Sequence, residues 1–330
     1  MDSTPNTVGG MTDVLTDAAT VAGYAPSIHN TQPWRWRIHG TTADLYADTS
    51  RQLRLADPDR RMLTISCGLA LHHARVALAN AGIAVQVDLL PTEGDLDHLA
   101  RVGVTGRQPA TPAAQALYET LLVRRTDRRP LLDEPIPAAV LHDVLSAARS
   151  FGIGTLPLTD RDVTALAGLT EKADRDVRMD AARRTELAAW ADEDHRPPYA
   201  GIPLTNLPNR GAPTIVPARD FGHVGTLPTA GGHDTAATYA ILYGPDDSPG
   251  MWLRAGEALS AIWLAATERG IALLPLSAAV EYEATRRMLG QILAGVGYPA
   301  IAIRLGMPNP NQPVAPTTPR LPAAATIEIV

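Results

Sequence analysis

The 330-residue sequence predicts an α+β chain built from two tandem copies of one helix-and-strand unit. Three observations predict it. Stretches of helical periodicity, with apolar residues three and four apart, alternate with short runs of strand periodicity. Gly68-Leu69-Ala70-Leu71 to Gly82-Ile83-Ala84 matches Gly256-Glu257-Ala258-Leu259 to Gly270-Ile271-Ala272 without gaps, at a constant offset of 188 residues. A weaker match sets Asp13-Val14-Leu15 over Asp143-Val144-Leu145, with Ala18 over Ala148. Two copies in the same order read as an ancestral dimer fused into one chain, with halves at about 11–120 and 121–330.

Asp13 to Tyr24 reads as a helix with Val14, Leu15, Ala18, Ala19 and Ala22 on one face, and Gly23 near its C-cap. Trp34 to Ile38 is a strand whose tryptophans alternate with Arg35 and Arg37. Ala43 to Ala47 returns beside it after a turn at His39 to Thr42. A helix from about Met62 to Asn80 follows; Gly68, Ala70, Ala74 and Ala77 permit close packing along it. Gly82 ends it, and Ile83 to Leu90 is a strand.

In the second copy, Ala138 to Ser150 is an amphipathic helix and Val163 to Trp190 one or two charged helices. Ala237 to Tyr243 is a strand, Met251 to Arg269 a helix and Tyr298 to Leu305 a strand. A proline-rich tail from Met307 ends in the strand-like Ala325 to Val330. Asp192 to Asp234 holds no period. Segments of that length inside a compact chain are functional lids or disordered. Its apolar members, among them Tyr199, Ile202, Leu207, Val216 and Phe221, favour a lid that lies down on the chain.

The net charge of −6 argues against nucleic acid as a partner. No run of about 18 apolar residues predicts a membrane span, and the polar start lacks a signal-peptide pattern, so the expected location is the cytoplasm. Cys67 stands alone and fits a reducing compartment. Lys172 is the one lysine, so an anionic ligand must be held by arginine or backbone. No metal is expected: His72 and His73 face different ways on a helix, and His195, His223 and His233 have no cysteine companions. A nucleophile elbow, a phosphate loop and a complete dinucleotide fingerprint are all missing; Gly152-x-Gly154 alone is too short.

Two stretches carry chemistry. Ala25 to Trp36 is a stiff loop fixed by Pro26 and Pro33, in which Ser27, Asn30 and Gln32 offer neutral hydrogen bonds suited to the edge of a heterocycle. Val123 to Arg129 is a dense basic cluster, and guanidinium forks suit a phosphomonoester. On spacing alone, the first is a helix-to-strand turn and the second a solvated basic face.

Ala-Pro-Ser-x-x-Asn-x-Gln-Pro-Trp, at 25–34, resembles the signature of the FMN-dependent nitroreductase superfamily, in particular its long actinobacterial Acg-like branch. The resemblance implies a nitroreductase-like fold in two tandem halves, each with an antiparallel or mixed central sheet flanked by helices. Typical members are homodimers in which one subunit gives a basic segment to the FMN phosphate and ribityl chain, and the other gives the loop to the flavin ring. Here the loop lies in the first copy and Arg124-Arg125-Thr126-Asp127-Arg128 in the second. The complementary pair is missing: no arginine precedes Asp13, and Phe151-Gly152-Ile153-Gly154 replaces the second loop. One FMN per chain is implied, in a monomer that contains the ancestral interface.

The resemblance also implies roles. Pro26, Ser27, Ile28 and Asn30 meet the ring, with Asn30 on its pyrimidine edge; His29 lies inside the motif with its role open. Arg124 and Thr126 hold the phosphate and ribityl chain, with Arg125 adjoining and Arg320 reaching the phosphate from the tail. Arg128 places a positive charge near the pyrimidine side, and Leu276 or Ser277 offers a backbone N–H to N5. No catalytic side chain is required. The implied activity is oxidation of NAD(P)H and reduction of a nitroaromatic or quinone-like acceptor on the same flavin face. The alternative is an FMN storage protein that closes the flavin beneath the 192–234 insert.

Overall fold

The computed structural model describes residues 7–194, 196–209, 214–229 and 231–330. His195 and parts of the insert, residues 210–213 and 230, lie outside the described residues. The first half runs α1 (Thr7–Ala22), β1 (Trp34–His39), β2 (Thr42–Ala47), α2 (Arg61–Asn80), β3 (Ile83–Leu89), β4 (His98–Arg107) and α3 (Pro112–Val123). The second runs α4 (Ala138–Ser146), β5 (Gly154–Pro157), α5 (Asp160–Met179), α6 (Ala181–Ala189), β6 (Thr238–Gly244), α7 (Pro249–Glu268), β7 (Ala272–Leu276), α8 (Ala278–Glu281), α9 (Glu283–Ile292), β8 (Tyr298–Gly306) and β9 (Ile327–Ile329).

The duplication is visible in the strands. One sheet is ordered β3-β4-β2-β1-β9 and the other β5-β6-β8-β7. Reading β5 to β8 as the counterparts of β1 to β4, the two sheets repeat one order. One irregularity is shared, for the β2–β4 ladder breaks register at Leu45/Tyr46 and the β6–β8 ladder at Leu242/Tyr243, whereas the shift at Ala84/Val85 in β3–β4 has no counterpart in β7–β8. β9 departs from the repeat: it pairs parallel with β1, Trp36 opposite Ile327 and Ile38 opposite Ile329. The cut expected near 120 is therefore not clean. The tail of the second half completes the first sheet, and one apolar core runs through both halves.

α2 and α7 cross at the glycines matched by the repeat. A Cβ on Gly68 would overlap the Leu253 carbonyl and sit 3.0 Å from Gly256 Cα. A Cβ on Gly256 would overlap the Ile65 carbonyl and sit 2.8 Å from Gly68 Cα. Ile65 and Leu253 stand at the same offset as the glycines, so the contact is self-complementary, as in a two-fold dimer. α2 is long and apolar enough to cross a membrane by length and composition, which the sequence reading did not anticipate, but it is 89% buried inside the chain. It starts where the Asp57 carboxylate accepts the Met62 and Leu63 N–H groups at 3.0 and 2.8 Å, satisfying free donors of its first turn.

Several boundaries differ from expectation. α1 begins at Thr7 and runs through Gly9-Gly10. Each glycine costs roughly 1 kcal/mol in a helix, and burial of Leu15, Ala18, Ala19 and Ala22 offsets it. β4, α3, β5 and α9 were not expected. β7 runs to Leu276, so of the two residues expected to offer a backbone N–H, Leu276 ends the strand and Ser277 follows it.

Candidate functional site

The loop between α1 and β1 is wound tightly. His29, Asn30 and Gln32 have φ of 47°, 56° and 52°, left-handed values that non-glycine residues adopt only when held there. Each neighbour holds it. Ser27 Oγ accepts the Gln32 N–H at 2.9 Å, and the Ile28 N–H donates to Ser66 Oγ on α2 at 3.0 Å. Gln32 Nε2 donates to the Tyr199 carbonyl of the insert at 2.8 Å, and its Oε1 accepts the Leu321 N–H of the tail at 2.9 Å.

Pro26 to His29 form one wall of a cavity of about 910 Å³ that opens to solvent. Met62, Ile65, Ser66 and Leu69 of α2 and Leu259 and Trp263 of α7 give it an apolar floor. Thr126 and Arg128 stand on one side, Leu274 to Ala278 on another, and Pro217 to Arg219 with Phe221 come from the insert. A second, polar cavity is lined by Arg124, Arg125, Thr126, Asn206, Thr318 and Arg320. Thr126 lines both cavities, so an apolar chamber adjoins a cationic one. That arrangement suits a flat ring carrying an anionic tail.

Among the described residues the arginines of this second cavity make no salt bridge. Arg124 is buried beneath the chain surface, its guanidinium 4.4 Å from the Trp263 ring centre, and neither Nε nor Nη1 has a hydrogen-bond partner. Burial, then repulsion from Arg320 and Arg125, pushes its pKa well below the usual arginine range. Arg320 Nε is likewise unpartnered, and burial followed by Arg125 lowers its pKa to about 10. Arg128 is lowered to about 10 by burial and makes one long contact, Nη1 to the Asn206 carbonyl at 3.5 Å. Buried cations that repel one another are stabilised by a bound anion.

Asn30 is engaged within the chain. Its Nδ2 donates to the Gly201 carbonyl at 2.9 Å and the Pro319 carbonyl at 3.0 Å, while its Oδ1 accepts from Arg320 at 3.0 Å. Both amide donors are spent inside the protein and the residue lines neither cavity. It ties the loop to the insert and the tail. His29 does line the apolar cavity, edge-on to Phe221 at 5.2 Å, with Nε2 buried and unpartnered.

Burial, then the Arg219 charge, lowers the His29 pKa to about 3, against an opposing pull from Glu281. A neutral buried histidine contributes stability that is present above pH 6.5 and lost as pH falls toward 3. The loss is about 2 kcal/mol by pH 5. The stability of His29→Asn is therefore expected to fall less steeply than wild type between pH 7 and 5. Parallel slopes in urea titrations would show that His29 does not carry this proton linkage.

A protein of Mycobacterium tuberculosis (strain ATCC 25618 / H37Rv), "Putative NAD(P)H nitroreductase Rv3131", is 36% identical over 318 residues, 94% of this chain and 89% of the relative. The chain belongs to the nitroreductase family of that relative. "Putative NAD(P)H nitroreductase acg" of the same strain is 29% identical over 314 residues, 94% of each chain. Among solved structures, "FMN and NADPH-dependent nitroreductase NfnB from sphigopyxis sp. strain HMH" aligns at a TM-score of 0.42 and 17% identity, over 64% of this chain and 97% of that one. No family model matches.

The duplicated architecture of this family member has room for a second cavity, and that position is filled. By the repeat offset, Trp263 corresponds to Arg75 and Leu69 to Glu257. Arg75 Nη1 pairs with Glu257 Oε1 at 2.6 Å, and its guanidinium lies 5.6 Å from the Phe151 ring centre. Phe151 packs edge-on against His72 at 5.3 Å. An ion pair and an aromatic ring thus occupy the mate of the apolar floor. The segment before α1 that would mirror the basic cluster, residues 1–6, lies outside the described residues.

Of the residues expected from sequence, Pro26, Ser27, Ile28, His29, Thr126, Arg128, Leu276 and Ser277 meet at the apolar cavity. Arg124, Arg125, Thr126 and Arg320 meet at the cationic one. Sequence reasoning missed Arg219 and Asn206, which reach the cavities from a segment without periodicity, and named Phe221 of that segment only as an apolar member of the expected lid. It also missed Met62, Ser66 and Trp263, which the repeat could have flagged as facing the fused interface. Arg219 Nη2 pairs with Glu281 Oε1 at 2.5 Å and fastens this part of the insert to the end of α8. Among the described residues no group of three or more His, Cys, Asp or Glu could hold a metal.

Proposed function

We propose that the chain is an FMN-dependent oxidoreductase of nitroreductase type, which takes reducing equivalents from NAD(P)H and passes them to a nitroaromatic or quinone-like acceptor in alternation at one site. The observation that carries this reading is the unpartnered, buried Arg124 guanidinium in a cationic cavity that shares Thr126 with an apolar one. FMN fits that donor set: a phosphomonoester supplies acceptors for Arg124 Nε and Nη1 and for Arg320 Nε, and an isoalloxazine ring matches the apolar floor. When bound, FMN supplies the hydride chemistry.

The chain's own residues bind and tune. Arg124, Arg320 and Arg125 hold the phosphate end and Thr126 stands where the ribityl chain passes. Arg128 sets a permanent positive charge beside the ring chamber, which favours an anionic reduced ring. Ile65, Leu69, Leu259 and Trp263 exclude water from the floor. Leu276 and Ser277 close the far wall with backbone groups.

A storage role for the same cofactor is favoured by one set of contacts. The insert is pinned to the ring-side loop through the Gly201 N–H to the Asn30 carbonyl at 3.2 Å, and through the bonds of Asn30 and Gln32 already described. An insert so fastened restricts a second ligand. Two measurements decide. Flavin released by denaturing the purified protein should be FMN at about one equivalent per chain, since the mate cavity is filled; two equivalents, or FAD, would overturn the single-site reading. Flavin-loaded protein should then oxidise NAD(P)H in the presence of a nitroaromatic or quinone. Bound FMN with no turnover would favour storage.

A further inference from the structure

One ion pair in the chain is almost wholly removed from water and belongs to neither cavity. Asp234, at the C-terminal end of the 192–234 insert, is fully buried, and Arg304 in the middle of β8 is 2% exposed. Arg304 Nη1 meets Asp234 Oδ2 at 2.6 Å. Nη2 is spent on backbone, donating to the Asp127 carbonyl at 3.3 Å and to the Arg129 carbonyl at 2.9 Å, while Nε is buried without a partner among the described residues. Those two carbonyls flank Arg128. Asp234 Oδ1 accepts the Leu131 N–H at 2.6 Å, and the Tyr239 hydroxyl donates to Oδ2 at 3.4 Å. Asp234 itself is held at φ 59°.

Buried ion pairs seldom repay their desolvation as stability, and replacing both partners by neutral groups is often harmless to the fold. Such a pair has another evident effect here. Residues 124–130 have no helix or strand of their own. Their course is set by what grips their carbonyls, and Arg304 grips both sides of the ring-side cation. Arg129, the next residue, is turned away by its bidentate pair with Asp127 at 2.9 and 2.7 Å and by the Pro313 carbonyl at 2.9 Å.

We infer that Asp234 and Arg304 are positioning residues for Arg128: one buried ion pair fixes both the C-terminal anchor of the insert and the cation that faces the apolar cavity. The link to flavin rests on the function proposed above; the link to segment 126–129 does not. Loosening the pair frees Arg128 from its carbonyl clamps without removing any group from the cavity walls.

The test uses the full chain with Asp234→Asn and Arg304→Met combined. Asparagine tolerates the left-handed backbone and still accepts the Leu131 N–H, and no lone charge is left buried. The first readout needs no flavin: amide exchange across 126–129 is expected to accelerate at least about tenfold, while that of α2 and α7 stays at the wild-type rate. Unchanged exchange at 126–129 overturns the inference. The second readout is a cycle with Arg128→Ala, read as FMN affinity and as the midpoint potential of the bound flavin. Arg128→Ala should weaken binding and lower the potential in the wild-type background, and do little in the double variant. Equal effects in both backgrounds overturn the inference, because Arg128 would then be placed without the pair.

Should the double variant fail to fold, Arg304→Lys keeps the ion pair but cannot reach both carbonyls. It should show the same exchange and coupling pattern in weaker form, and its absence there overturns the inference equally. Wild-type protein that takes up no FMN overturns the proposed function instead, and the exchange result alone then decides the positioning role.

Discussion

Gly256→Ala is expected to destabilise the chain by at least about 3 kcal/mol, more than overpacking usually costs. A single methyl at this position has nowhere to go. It meets the Ile65 carbonyl and the Gly68 Cα of the facing helix, and both are backbone. No rotamer change relieves a clash with backbone, so α2 and α7 must separate. Their separation opens the core they share along its whole length. Gly68→Ala should behave alike, because the Leu253 carbonyl blocks it in the mirror-related way. Gly168 on α5 is the control: nothing lies within 4 Å of its added Cβ, and alanine there should stabilise slightly through helix propensity. Chemical denaturation of the three variants reads the difference directly. A Gly256→Ala protein within about 1 kcal/mol of wild type, an ordinary cost for a single substitution, would mean that the helices do not cross at this point.

Arg124→Leu should lower FMN affinity about 10- to 100-fold, the expected loss for a charge-assisted bond worth roughly 1.5–3 kcal/mol. The flavin-free protein should meanwhile keep its stability. Leucine removes a buried cation that has no partner at Nε or Nη1 and that Arg320 and Arg125 repel. What it forfeits is the stacking on Trp263, worth about 0.5–2 kcal/mol at such sites. Asn30→Ala is expected to weaken FMN less, because it breaks only neutral bonds and one bond from Arg320. Fluorescence titration of both variants, beside their thermal melts, separates binding from folding. Undiminished affinity in Arg124→Leu would place the phosphate elsewhere.

The sequence carried some of this fold openly and hid the rest for physical reasons. α2 and α7 could be read because a long helix packed on all sides against small residues leaves a repeat of Gly, Ala and Leu. The fused interface followed from the offset, since matched glycines have a reason to stay matched only where backbones touch. β4 and β5 were missed because their partially exposed residues blur the alternation that marks a half-buried strand. α1 was shortened because Gly9-Gly10 looks like a stop, whereas docking of the helix face overrides local propensity. At the site, the basic cluster and the Pro26 to Asn30 loop could be named, since stiff loops and dense charge are local features. The partners of Asn30 could not. Gly201 and Pro319 lie far away in sequence, and nothing about an asparagine says whether its amide will meet a ligand or two carbonyls of its own chain. Arg219 stayed hidden for the same reason, since its partners Asp174 and Glu281 are distant in sequence.

The pairing of β9 with β1 carries a consequence for how the chain is made. The strand that completes the first sheet lies far beyond its partner along the chain and is synthesised long after it. Until then β1 presents an open edge, with the backbone groups that the Ile327–Ile329 segment will take left free to pair with another chain. The first half can collapse early, but it cannot close its sheet or receive the tail contacts of Gln32 and Asn30 until the 319–329 segment has been made. A nascent or clipped chain that lacks this segment is therefore the form most exposed to edge-to-edge association, and its arrival is the step at which the loop between α1 and β1 acquires its final hold.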